Sequence, residues 1–282
     1  MIGITGADNL HKVVILNPKG GCGKTTLATN LASCYALRSP PPTLIDLDPQ
    51  GFCTGWLQKR PANRPVVRGR EAAAASDAAP RTELTVRSDS SIVIVDLPAA
   101  IPHSRLHAYT YLADSVLLPI VPSEIDVYSA TRFVAELLLD VQLDRREQKL
   151  AIVANRVRSR TRSYRMLQRF LTSLRIPVIA ELRDSQNFVQ AAAAGLGVCE
   201  LPAYRAQADI AQVEAIVGWL DRRRSVTRQR QALIAQAAYR YAERRGFVGG
   251  NPVDDWLAAE REVDQTLARE QPQAAGSINR RT

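Results

Sequence analysis

Two lysines bracket a glycine-rich run, Lys19-Gly20-Gly21-Cys22-Gly23-Lys24-Thr25-Thr26, placed just after the apolar stretch Val13-Val14-Ile15-Leu16. Glycines at these spacings let a backbone turn so tightly that its N–H groups converge on an anion, and the N-terminus of a following helix adds its partial positive charge. In such a loop Lys24 neutralises the terminal phosphates of a nucleotide and the Thr25 hydroxyl is a Mg²⁺ ligand, so residues 19 to 26 form a candidate nucleotide cradle. The general pattern has glycine five places before Gly23, where this chain has Pro18, and a lysine opens the loop instead. Two more apolar runs end in carboxylates: Thr43-Leu44-Ile45-Asp46-Leu47-Asp48-Pro49-Gln50-Gly51 and Ile92-Val93-Ile94-Val95-Asp96-Leu97-Pro98. Any one of these aspartates alone is the kind that closes a strand or caps a helix. Three polar strand ends beside one phosphate loop are what a doubly wound sheet needs to assemble a site at its crevice.

The extra lysine is the mark of the deviant Walker A group, and the chain resembles the ParA/MinD family of partition and positioning ATPases. The 43–51 block is similar to that family's second motif, and the 92–98 block is similar to Walker B. The resemblance implies ATP and Mg²⁺ as cofactors. By the same resemblance, Asp96 holds Mg²⁺ through a water, Asp48 orients the attacking water, and Asp46 senses the γ-phosphate. Lys19 reaches across a dimer interface to the partner's nucleotide, so ATP binding drives homodimerisation, and Lys19, Lys24 and Asp48 are the candidate catalytic residues. Cys22 contributes its backbone N–H. Asn155 corresponds to a position near the adenine, although an asparagine there is equally suited to a strand-to-loop turn.

The elements that must position these groups are visible as alternating apolar runs and amphipathic stretches. Strands are expected at 116–123, at 149–156 and, shorter, at 176–179. A helix runs through Leu139, another closes at Gly195, and an edge segment covers Val198-Cys199-Glu200. Strands alternating with helices predict an α/β fold: a doubly wound, mostly parallel sheet with a C-terminal helical extension. Residues 58–90, rich in proline, alanine and charge, are expected to be a surface excursion with one short strand or helix. About a dozen residues precede the first expected strand and leave no room for an N-terminal helix-turn-helix. The expected domains are an ATPase domain at 1–221, a basic linker at 222–230, a helical hairpin at 231–268 and a disordered tail at 269–282.

Charge supplies the second signal. A net charge of +9 is unusual for a metabolic enzyme and suggests a polyanionic partner. Arg156, Arg158, Arg160, Arg162, Arg165 and Arg169 fall in fourteen residues, and on a helix Arg162, Arg165 and Arg169 share one face. A second cluster holds Arg222, Arg223, Arg224, Arg228 and Arg230. A solvated basic face accounts for such a run as well as a binding surface does. The resemblance favours the latter, since ParA-type proteins bind DNA without sequence preference through basic residues of both subunits, and arginine pairs with phosphates bidentately.

Cysteines at 22, 34, 53 and 199 show no close pair in sequence, so neither a zinc site nor a disulfide framework is expected. Residues 1–11 lack the features of a signal peptide, and no apolar run approaches the roughly 20 residues of a membrane span, so a cytoplasmic, nucleoid-associated protein is expected. Past Arg230 the segments 232–245 and 256–263, joined through Gly246 and Pro252, resemble a short bacterial module of unknown function; Tyr239, Phe247, Trp256 and Leu257 form a stripe suited to a mini-core or a docking surface.

The leading expectation is an ATPase whose ATP dimer holds non-specific double-stranded DNA and is released when an adaptor protein, ParB-like or borne by the cargo, stimulates hydrolysis. The cargo would be a plasmid, a chromosome region or a protein assembly such as a carboxysome. The alternatives are a MinD-like ATPase on a membrane surface, anchored by helix 231–245, and a DNA-binding scaffold that uses ATP only structurally. A nitrogenase-type cluster protein is excluded, because only Cys199 lies beyond the 92–98 block.

Overall fold

The computed structural model describes residues 2–5, 10–38, 40–71, 82–139, 141, 143, 149–174 and 176–270. The strands are β1 (Ile2–Thr5), β2 (Lys12–Ile15), β3 (Thr43–Asp46), β4 (Arg68–Glu71), β5 (Thr82–Thr85), β6 (Val93–Asp96), β7 (Ser115–Ile120), β8 (Leu150–Val157) and β9 (Val178–Arg183). Seven form one sheet in the order β4-β3-β6-β2-β7-β8-β9, every neighbour parallel. Strands buried on both faces read as continuous apolar runs, which is why they stand out in the sequence. The helices are α1 (Lys24–Ala36), α2 (Phe52–Lys59), α3 (His103–Leu112), α4 (Glu124–Leu139), α5 (Arg162–Leu174), α6 (Gln186–Ala193), α7 (Ala203–Arg244) and α8 (Pro252–Glu270).

Side chains alternate across each strand, so the sheet feeds two cores. Val14 of β2 and Ile152 of β8 join Leu106, Phe133, Leu137, Leu167 and Leu171 from α3, α4 and α5. On the other face Val13, Ile15 and Val153 join Leu27 and Leu31 of α1, Trp56 of α2, Phe188 of α6 and Val213 to Leu220 of α7. Chain order reverses at β2, between β6 and β7, and this puts a crevice at the strands' C-terminal ends. Register brings the motifs to that line: Ile15 pairs with Asp96, and Asp46 pairs with Asp96.

Four expectations change. Residues before the first apolar run are not bare: β1 pairs in parallel with β5 as a separate two-stranded sheet. Its alternation, Ile2-Gly3-Ile4-Thr5, is too short to register as a strand signal. The excursion at 58–90 contributes β4 to the sheet edge as well as β5. Residues 198–200, expected as an edge segment, form a single 3₁₀ turn, closed by Glu200 N–H to Gly197 O at 3.0 Å and by Gly197 N–H to the Glu200 carboxylate at 3.0 Å. The stretch 222–230, expected as a basic linker, is helical and part of α7, because no glycine or proline interrupts 219–245 and arginine and glutamine are good helix formers.

The chain divides into compact units at 1–223 and 224–282. In the second, the end of α7 and α8 form a helical hairpin. Gly246 (φ 66°) ends α7 with its N–H on Glu243 O at 2.8 Å, and the Asn251 side chain caps α8 by accepting Val253 N–H at 3.0 Å. Its core is Ile234, Ala237, Ala259 and Val263, not the aromatic stripe read from the sequence. Tyr239, Phe247, Trp256 and Leu257 are all exposed, with Tyr239 and Phe247 edge to face at 5.4 Å. Arg230 binds Glu260 and Asp264, and Arg245 pairs with Asp255, which ties the two helices electrostatically. Helix α8 extends to Glu270, so the expected tail begins in helix; residues 271–282 lie outside the described residues. No described helix is long and apolar enough to cross a membrane.

Candidate nucleotide site

The loop between β2 and α1 is shaped by two glycines with positive φ, Gly21 at 76° and Gly23 at 97°. Among the described residues, no protein acceptor takes the N–H groups of Gly20, Gly21 or Gly23. Lys24, only 7% exposed, folds back so that Nζ donates to Asn17 O at 3.2 Å and Lys19 O at 3.4 Å. No described carboxylate forms an ion pair with it. A buried ammonium bonded only to carbonyls, beside loop N–H donors, is a donor set that fits an anion such as a nucleotide phosphate.

Asn155, at the end of β8, lies against this loop. Its amide donates to Cys22 O at 2.8 Å and its oxygen accepts Arg156 N–H at 2.9 Å. A Cβ on Gly23 would come within 2.1 Å of the Asn155 nitrogen, so glycine here is demanded both by its φ and by this close approach. Asn155 thus buttresses the phosphate loop, whereas the resemblance implies a position near the adenine.

Asp96 is 1% exposed. One carboxylate oxygen, Oδ2, accepts the Thr25 hydroxyl at 2.7 Å and the Cys53 thiol at 3.3 Å. The other, Oδ1, is buried with no hydrogen-bond partner among the described residues. Burial, with a smaller push from nearby Asp46, raises its pKa to about 6 against the opposing hydrogen bonds from Thr25 and Cys53. The same burial, together with the Asp96 charge, raises the Cys53 thiol well above its usual range. An orphaned carboxylate oxygen next to a threonine hydroxyl is a hard-oxygen donor set that fits Mg²⁺. Cys53 was not legible as a neighbour of this centre, since nothing in the spacing of 53 and 96 brings them together.

Asp46 anchors the loop that follows it. Its carboxylate accepts Asp48 N–H at 3.1 Å, Thr54 N–H at 2.8 Å and the Thr54 hydroxyl at 3.1 Å, which fixes the start of α2. Asp48 is half-buried at the mouth, accepting Gln50 N–H at 3.0 Å in a turn closed by Gly51 N–H on its carbonyl at 2.9 Å.

Lys19 Nζ is paired with Asp126 of α4, whose carboxylate also receives the Ser123 hydroxyl. Asp126 N–H returns to Ser123 Oγ at 3.1 Å, so Ser123 caps α4. Asp126 and Asn17, which accepts Lys19 N–H at 2.9 Å and donates to Pro119 O at 2.7 Å, are the site residues that sequence reasoning passed over. For Asp126 a signal existed: a serine three places before an acid at a helix start.

The arginines sit elsewhere. Arg162, Arg165 and Arg169 are exposed on α5 opposite buried Leu167 and Leu171. Arg156, near the end of β8, and Arg160, in the β8–α5 connection, are exposed with φ of 51° and 73°, conformations that non-glycine residues adopt rarely. Arg158 is paired with Asp184. Arg222 is exposed on α7, whereas Arg223 and Arg224 are half-buried.

Residues 13–198 match the family described as the CobQ/CobB/MinD/ParA nucleotide binding domain. This chain belongs to that family. Within the ParA/MinD group, the protein for maintenance of carboxysome distribution (A) of Halothiobacillus neapolitanus is 27% identical over 196 residues, covering 68% of this chain and 88% of that protein. The chromosome partitioning protein ParA of Caulobacter vibrioides is 42% identical over 83 residues, covering 28% and 30%. A putative plasmid partition protein of Borrelia burgdorferi bound to AMPPNP superposes with a TM-score of 0.58 at 13% identity, over 74% of this chain and 97% of that one. A Cyanothece McdA complex with ATP gives 0.53 at 17% identity, over 74% and 96%. At such identities the structures attest the fold, here the ParA/MinD sheet with its phosphate loop. Residues 229–265 match a family described as Protein of unknown function (DUF2934).

Proposed function

We propose that this ParA/MinD family member is a Mg²⁺-dependent ATPase whose ATP-bound dimer holds DNA without sequence preference and lets go when an adaptor protein stimulates hydrolysis, so that a cargo is positioned on the nucleoid. The observation that carries the nucleotide half is Lys24, buried beside loop N–H groups and in no ion pair with a carboxylate among the described residues. In this reading residues 19–26 cradle the phosphates, Thr25 and Asp96 hold Mg²⁺, and Asp48 orients water. Phosphoryl transfer depends mainly on positioning and charge, and bound Mg²⁺ would neutralise charge on the β- and γ-phosphates. Asp46, held by Thr54, keeps the Asp48 turn in place near that reaction.

Dimerisation is supported by the surface around Lys19. Ile125 and Tyr128, on either side of Asp126 in α4, are 73% and 69% exposed. DNA binding is supported by the arginine face of α5, which has no ion pair among the described residues, and by Arg222. The relatives named for carboxysome distribution and chromosome partitioning suggest the class of cargo. A membrane anchor in 231–245 would need the face of α7 that carries Ile234 and Ala237, and that face is covered by Ala259 and Val263.

Gel shift of a random-sequence duplex without nucleotide, with ADP and with ATP, at two salt concentrations, tests this reading. Binding should require ATP and fall steeply with salt, as phosphate-backbone contacts release counterions. The triple change Arg162→Glu, Arg165→Glu, Arg169→Glu should remove binding and spare basal ATPase. Binding indifferent to nucleotide would point to a scaffold, and no binding at all would defeat the DNA half.

A further inference from the structure

Two of the four cysteines, distant in sequence, meet behind the nucleotide loop. Cys34 lies on α1, the helix that the phosphate loop opens, and is 4% exposed. Cys199 is the middle residue of the 3₁₀ turn at 198–200 and is half-buried. The turn is pressed onto α1 at the level of these residues. Val198 N–H donates to Asn30 Oδ1 at 2.8 Å, and the α-carbon of Gly197 packs so near α1 that an added Cβ would fall 2.7 Å from Ser33 Cβ. One residue further along each segment come Cys34, inside the core that it shares with Val198, and Cys199, packed against that core, and each thiol shifts the other's titration.

The two thiols are chemically unequal. The Cys199 thiol, aided by the charge of Arg38, lowers the Cys34 thiol below its ordinary value, whereas the Cys34 thiol and burial raise Cys199. The pair thus has one sulfur suited to carry the thiolate and a second positioned to resolve it. Neither takes part in the nucleotide chemistry.

We propose that Cys34 and Cys199 are a redox modification site, forming a reversible disulfide that fastens the phosphate-loop helix to the turn at 198–200. With a hydroperoxide as oxidant, two S–H bonds and one O–O bond break, while one S–S bond and two O–H bonds form. With hydrogen peroxide both oxygens leave as water, and the sulfurs lose the two electrons that the peroxide gains. An external thiol reverses the step by entering at the more exposed Cys199.

The turn so fastened is more than a surface feature. Glu200 takes the guanidinium of Arg60, at the end of α2, through bonds of 2.9 and 2.8 Å, and the Trp56 indole N–H donates to Leu196 O at 3.1 Å. Helix α2 begins just after Asp48. The disulfide would therefore place a covalent link in the chain of contacts between the helix bearing Lys24 and Thr25 and the helix that follows the Asp48 turn.

The test uses the full chain, reduced and then exposed to hydrogen peroxide. Intact mass should fall by two hydrogens, a non-reducing peptide map should yield one cross-linked pair containing Cys34 and Cys199, and dithiothreitol should restore both. Because the cross-link closes a long loop, the oxidised protein should melt higher, by at least about 5 °C. Cys199→Ser should abolish the mass loss. Oxygen added to Cys34 without a cross-link, a bond to Cys22 or Cys53 instead, the same mass loss in Cys199→Ser, or an unchanged melting temperature would each overturn the proposal. The wild-type peptide map decides the pairing even if a variant folds poorly.

Discussion

In its own chain, the Lys19 ammonium is ion-paired with the Asp126 carboxylate, which also receives the Ser123 hydroxyl. The lysine that the proposed dimer sends to a partner's nucleotide is here held at home. The lysine side chain is 34% exposed and the aspartate 8%, so the pair is only partly screened by water.

Releasing Lys19 should favour the dimer. Asp126→Asn keeps shape and the serine contact but removes the charge, and a pair of this exposure is worth about 1 kcal/mol. Dimerisation, followed by sedimentation velocity during an ATP titration, should shift to a roughly three- to tenfold lower ATP concentration. Lys19→Ala should retain ATP binding and lose the shift to dimer. Normal dimerisation by Lys19→Ala would refute the cross-subunit role.

Asp96 makes stability depend on pH. Its folded-state pKa of about 6 lies above the ordinary aspartate value of 3.8, so between those limits the folded protein binds the extra proton. Stability from this group therefore falls as pH rises from about 4 to about 6 and stays low above that, a loss of roughly 3 kcal/mol. Nucleotide-free Asp96→Asn should melt above wild type at pH 7.5, and the gap should close near pH 4. Addition of Mg²⁺ and ATP should raise the melting temperature of wild type and not of the variant. A variant less stable than wild type at pH 7.5 would contradict the buried, orphaned carboxylate.

Gly23 and Asn155 are coupled. Gly23→Ala carries two penalties, strain at φ 97° of about 1–3 kcal/mol and the collision with the Asn155 amide, which is held at both ends. ATP binding by titration calorimetry should be lost in Gly23→Ala and partly recovered in Gly23→Ala with Asn155→Ala. Strict additivity in this cycle would show that the two do not touch.

The hairpin has little in reserve. Ala237 and Ala259, 1% and 0% exposed, are half of its buried apolar set, so the helices approach closely there. Ala259→Leu overpacks that contact at a cost of about 1–3 kcal/mol. Hydrogen exchange should accelerate across α8 while the amides of β2 and β6 remain protected. Unchanged protection of α8 would argue against the crossing.

Legibility followed the physics of each signal. The phosphate loop and the strands ending at Asp46 and Asp96 were readable because a buried parallel strand needs an unbroken apolar run, and polar residues at its end are conspicuous. Arg162, Arg165 and Arg169 were readable because they share one helical face. The Lys19–Asp126 pair, the Cys53–Asp96 bond and the Cys34–Cys199 contact were not, since each depends on which strands lie side by side and no local period encodes that. Helix α7 escaped for the opposite reason: a continuous helix has no internal punctuation, and the change of composition near 222 looked like a boundary.

The bonds from Thr54 to Asp46 bear on how ATP binding energy is used. Because the carboxylate already fixes both the turn after β3 and the first residues of α2, no ordering of that segment has to accompany nucleotide capture. Entropy that a floppy loop would lose at the moment of binding has been lost during folding. In the proposed cycle, the free energy of capture is left for what would change on arrival: parting Lys19 from Asp126 and bringing two copies together.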